Sequence, residues 1–141
     1  MKFLNEQGQE ITLKRAENLP GYEVTLAEDI TVNSAVNNPF FKGINILQLP
    51  KKLKGFRENP DLKKLLEPQK LNSGIRLNFN GNEFGVFEPS SVLAKEKRLL
   101  LTSHNFGDGQ MVSPEFVNFG LKNVHLKKGS VIGTLIIVES K

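Results

Sequence analysis

The chain has no cysteine and no tryptophan, and holds a single tyrosine and two histidines in 141 residues. Lack of cysteine excludes a thiol nucleophile, a cysteine-based zinc site and a redox switch. His104 and His125 lie far apart, and neither has a partner at metal-ligand spacing. No run approaches the roughly 18 apolar residues of a membrane span. The start, Met1-Lys2-Phe3-Leu4-Asn5-Glu6, turns polar too early for a secretory signal. The expectation is a protein made and used in the cytoplasm, or in a virion if its source is viral, with no membrane contact. Internal repeats and low-complexity segments are also absent.

What remains is enough for one domain. A chain of this length buries roughly two thirds of its unfolded surface without a disulfide or structural metal. The net charge is +4, and Lys51, Lys52, Lys54, Arg57, Lys63, Lys64 and Lys70 gather in the middle. Apart from Phe56, no aromatic residue interleaves with them, so a solvated segment is expected there rather than a nucleic-acid surface.

Most of the sequence alternates as strands do. Ile75 to Phe79 alternates apolar with polar, Asn80-Gly81 is a hairpin signal, and Phe84 to Phe87 is the expected returning strand. Further strands are expected at Glu10–Lys14, Tyr22–Leu26, Ile30–Val32, Leu99–Leu101, Phe116–Leu121 and Val131–Val138. The last is apolar enough to be buried on both faces or to lie in a subunit contact. One segment differs. Asn59-Pro60-Asp61 followed by Leu62, Leu65 and Leu66 carries helix start signals, and Pro68 ends it. This helix sits in a stretch rich in Asn, Pro and Lys that includes Phe40-Phe41, a pair expected to anchor it. The predicted organisation is a single all-β domain over 1–141, a sandwich or barrel, with an insertion at 34–70 that carries one short helix.

Four segments occur in a telling order: Gly21-Tyr22-Glu23-Val24, Glu88-Pro89-Ser90-Ser91-Val92-Leu93-Ala94, Gly109 to Phe116, and Gly129-Ser130-Val131-Ile132-Gly133-Thr134-Leu135. In order and spacing they resemble the motifs of the trimeric dUTPase and dCTP deaminase family, over Leu19–Val32 and Asn72–Val138. The resemblance implies a distorted jelly-roll barrel, a homotrimer, a nucleotide ligand and, in an active enzyme, magnesium.

The family's reactive side chains are mostly replaced. Glu23 stands where an aspartate helps to hold magnesium, one methylene longer, and hard-ion sites are sensitive to such a change. Pro89 stands where an arginine contacts phosphate, with Glu88 before it, although Ser90 and Ser91 keep their hydroxyls at the head of a helix. Val112 stands at the general-base aspartate, and valine takes no proton. Asp108 and Glu115 are the carboxylates near enough in sequence to stand in for it. Phe116, one residue late, matches the tyrosine that stacks on the nucleoside. The deaminase branch requires a glutamate three residues before the strand-ending asparagine; with Asn123 in that role the position is Gly120. The resemblance would also bring a glycine-rich C-terminal arm over the site, and with Glu139-Ser140-Lys141 as the last residues such an arm is not expected. A cation site among Glu23, Glu28, Asp29, Glu88 and Asp108 would need their loops to converge.

The expectation is therefore a non-catalytic, trimeric binding or structural unit. A viral or phage accessory or capsid-surface protein would fit, with a protein partner or a nucleotide as ligand and no cofactor. Tyr22, Ser90, Ser91 and Phe116 are its candidate ligand contacts. The alternatives are a nucleotide-sequestering protein or a divergent magnesium-dependent pyrophosphatase using Glu23, Asp108 and Glu115.

Overall fold

The computed structural model describes residues 1–34 and 68–140. The expected helix at Asn59–Leu66, the Phe40-Phe41 pair and the lysines from Lys51 to Lys64 lie outside the described residues. Described residues form twelve strands and one short helix. In chain order the first strands are β1 (Lys2–Leu4), β2 (Glu10–Ile11), β3 (Tyr22–Thr25), β4 (Ile30–Val32), β5 (Gln69–Lys70) and β6 (Arg76–Asn78). After β7 (Glu83–Pro89) comes the helix, Val92–Glu96. Then follow β8 (Leu99–Ser103), β9 (Asn105–Phe106), β10 (Glu115–Asn118), β11 (Val124–Leu126) and β12 (Val131–Glu139).

Four small sheets result, in spatial orders β2-β1-β6, β5-β10-β8, β11-β4 and β3-β12-β7-β9. Each buries one face, as period-two alternation dictates. Phe3, Leu77, Leu99, Phe116, Val32, Leu126, Val24, Ile132 and Phe87, drawn from all four sheets, meet in one core. The Phe87 and Phe116 rings meet edge to face at 6.2 Å, and Phe3 meets Tyr22 likewise at 4.8 Å. The fold is all-β, as the alternation implies.

Two expectations change. The turn after Phe79 forms, with the Glu83 N–H donating to Asn80 O at 3.1 Å. It does not make a hairpin, because β6 pairs with β1 while β7 pairs with β12 and β9. Neither Asn80 nor Gly81 takes the positive φ that a type I′ turn requires, so the chain turns a corner between sheets. The outer ends of the expected 34–70 insertion are also part of the sheets: Ser34 bridges Asn118, and Gln69–Lys70 is β5 beside β10.

The longest ladder runs between β12 and β7, from Gly133↔Pro89 to Glu139↔Glu83, and β3 occupies the other edge of β12. Gly21, at the entry to β3, lies directly against this strand. A Cβ there would stand 2.4 Å from Leu135 O, a backbone atom with no room to move. Gly21→Ala is therefore expected to cost about 2 kcal/mol or more through overpacking. Gly81→Ala, with nothing within 4 Å, is expected to change little. Urea-unfolding midpoints of the two variants check this, and equal midpoints would contradict the close approach.

Candidate functional site

The ladder around β12 assembles three of the four motif segments. Glu23, Thr134 and Glu88 pair in one row across β3, β12 and β7, and Tyr22, Leu135 and Phe87 form the adjacent row. Neighbouring rows point to opposite faces. Phe87 and Leu135 are buried, so the second row faces the core and the first faces outward.

In the outward row, the Glu23 carboxylate lies 3.8 Å from Lys14 Nζ. Glu88 is exposed on the far strand. Pro89 closes β7 opposite Gly133. In the inward row, Tyr22 packs against the core beside Phe3, and the Arg15 guanidinium covers its ring at 4.7 Å from the centroid.

Ser90 and Ser91 follow directly. The Ser90 N–H donates to Ile132 O at 2.9 Å, and the Ala94 N–H donates to Ser90 O at 3.3 Å. Ser90 Oγ accepts a long hydrogen bond from the Leu93 N–H at 3.4 Å. Ser90 thus tethers the helix to β12, while Ser91 is exposed and makes no side-chain capping bond.

The third motif lies on different sheets. Val112 has an exposure of 0%. Its N–H donates to Ile75 O at 2.8 Å, and its carbonyl accepts the Ser73 hydroxyl at 2.5 Å. Asp108 Oδ1 accepts the Phe79 N–H at 2.8 Å and so supports the corner after β6. Glu115 lies 3.9 Å from Lys70 Nζ at a β-bulge that opens β10. Phe116 is fully buried against Phe87, and its ring offers no surface to solvent.

The structure corrects one assignment. The strand-ending asparagine is Asn118, not Asn123. Asn118 is buried, its Nδ2 donates to Val32 O at 3.0 Å and Lys122 O at 2.9 Å, and its Oδ1 accepts the Gly120 N–H at 2.8 Å. Those bonds stop β10. Asn123 lies beyond, in the turn before β11, where its Oδ1 accepts the Ser34 N–H. Three residues before Asn118 is Glu115, so counting from this asparagine the resemblance would put a carboxylate, not Gly120, at the position it requires. The signal was present as Glu115-Phe116-Val117-Asn118 followed by Phe119-Gly120.

Among the described residues no group of three or more His, Asp or Glu is placed to hold a metal ion. Asp29 Oδ1 accepts the Lys128 N–H at 2.7 Å, Asp108 supports Phe79, and Glu23 faces Lys14. Within one protomer these donors do not fit a magnesium site. His104 serves through its backbone, its carbonyl accepting the Phe87 N–H, and His125 Nδ1 lies 2.8 Å from Thr31 Oγ1. No helix of the described residues is long and apolar enough to cross a membrane.

Solved structures of similar shape are dUTPases. The native EIAV enzyme superposes with a TM-score of 0.62 at 14% identity, over 99% of this chain and 88% of that one. A Staphylococcus bacteriophage 80alpha dUTPase variant carrying dUpNHpp gives 0.62 at 10% identity, over 93% and 77%. A dUTPase variant from phage phi11 of S. aureus, described with a structural Mg(II) ion, gives 0.62 at 9%, over 93% and 84%. The fold is dUTPase-like. Neither a protein-family model nor a curated protein sequence matches the chain.

Burial at Val112 has a direct consequence. Val112→Asp would place a carboxylate among apolar side chains without a partner, at a cost of about 3 kcal/mol or more. The variant is expected to lose stability in thermal or urea unfolding and to gain no hydrolysis. A wild-type midpoint would show that the position reaches solvent.

Proposed function

We propose that this protein is a non-catalytic dUTPase-like subunit, a trimeric binding or structural unit of the kind a virus or phage uses as an accessory or capsid-surface component. Val112 carries the reading: at the position of the family's general base stands a fully buried aliphatic side chain with both backbone groups bonded. The outward row supports it. Glu23 and Glu88 place two carboxylates on the outward row, of which only Glu23 is paired with a lysine, an arrangement that disfavours a triphosphate, and Pro89 supplies no guanidinium. The other carboxylates near the third motif, Asp108 and Glu115, are engaged by Phe79 and Lys70.

Glu115 favours a second reading, a divergent nucleotide hydrolase. It is the one motif-region carboxylate that both stands at a family acid-base position and is only partly buried. Removal of a positioned base costs on the order of 10² to 10⁴ in rate, so the two readings differ measurably.

The test is release of pyrophosphate and of ammonia from deoxynucleoside triphosphates with magnesium, alongside mass by light scattering. A silent trimer is expected. Turnover abolished by Glu115→Gln, or by Glu23→Ala, would replace the first reading with the second. A silent protein whose melting midpoint rises with a nucleotide in the absence of magnesium would instead be a nucleotide-sequestering one. A monomer would remove the assembly from the proposal.

A further inference from the structure

A second surface lies around β11, with a lining opposite in charge to the motif row. A cleft of about 700 Å³ runs beside Asn123, Val124 and His125. A smaller, separate one of about 290 Å³ is lined by His125, Leu126 and Lys127. Both touch the same strand, so together they follow its length. A compact ligand needs one pocket; a track along a strand fits an extended chain.

The lining is cationic. Lys97, Arg98 and Lys122 border the larger cleft and Lys127 the smaller. None of these side chains makes a hydrogen bond or ion pair with another described residue. The opposing charges are Glu96 and Asp29, and the latter already accepts the Lys128 N–H. Apolar groups stand among the cations: Phe119 is 59% exposed and Leu121 82%.

Arg98 adds an independent sign. It is the one non-glycine among the described residues with a positive φ, 59°. It follows the helix cap Lys97, where the chain usually places glycine because a Cβ is penalised there. Its carbonyl accepts the Phe119 N–H, and its stem lies against Gly120. A strained backbone at a non-glycine whose guanidinium is unpaired among the described residues marks Arg98 as a candidate contact.

We propose that this track binds single-stranded nucleic acid, with Lys97, Arg98, Lys122 and Lys127 on phosphates and Phe119 stacked on a base. Stacking on an exposed ring between cations is how such strands are held without sequence preference, and it distinguishes them from an acidic peptide. The site is independent of whether the motif row turns over nucleotides.

The experiment is fluorescence anisotropy of a labelled thymidylate oligomer of about 20 nucleotides against the whole protein over a range of salt. Saturable binding is expected, with a log–log salt slope of about −2 to −3 for three to four phosphate contacts. Arg98→Ala with Lys122→Ala should flatten the slope by about 1.4. Phe119→Ala should weaken binding roughly 5- to 100-fold with the slope unchanged. Arg98→Gly should weaken binding while raising the melting midpoint by about 3 °C, which excludes misfolding as the cause. The proposal is overturned if the wild-type protein does not bind at low salt. It is equally overturned if polyglutamate displaces the oligomer as well as unlabelled oligomer does. Loss of binding on neutralising Lys51, Lys52 and Lys54, with the Arg98 and Lys122 variants intact, would also overturn it.

Discussion

Strand β12 has no free edge along the segment that matters. From Gly133 to Leu135 it is paired with β3 on one side and β7 on the other, and this double ladder determines the rest. Because side chains alternate strictly, it commits Tyr22, Leu135 and Phe87 to the core and Glu23, Thr134 and Glu88 to the surface. A slip of one residue would exchange the two rows and put two carboxylates inside. The penalty for that exchange is why the register is unique, and the register is why segments distant in sequence meet.

The same ladder explains what the sequence has kept. Gly21 is required because the Leu135 carbonyl passes over it, and Gly129 because its turn takes a φ of 86°. Ile132 and Leu135 are required because they fill the core. These are motif residues that the backbone demands. Those that chemistry would demand have other occupations: Val112 is sealed in the core, Asp108 supports a corner and Glu23 pairs with Lys14.

That difference between backbone and chemical demands also sets what could be read from residues alone. The all-β class, β12, β3, β4 and the turn after Phe79 were legible, because alternation and turn chemistry are local. β1, β5, β9 and β11 were not: each is only two or three residues long, and none carries the run of β-branched residues that marked Ile30–Val32. The failure of β6 and β7 to pair was equally hidden: partner choice depends on β1 and β12, which are remote in sequence. At the site, the apolar character of Val112 agrees with its full burial. The position of Glu115 was missed because Asn118 and Asn123 look alike in sequence, and only the three bonds of the buried Asn118 side chain decide which one ends the strand.

Charge completes the account. In the outward row, Glu23 and Glu88 stand two strands apart, roughly 10 Å, a little beyond the screening length of about 8 Å at physiological salt. Their fields add, and Lys14 balances one of them. Around β11 the sign reverses, with Lys97, Arg98, Lys122 and Lys127 against Glu96 and an already engaged Asp29. The two surfaces thus carry opposite charge, acidic along the outward row and basic beside β11. The free cations border a short strand, β11, which pairs with β4 and whose place beside β10 is fixed by Asn118 and the Ser34 bridge.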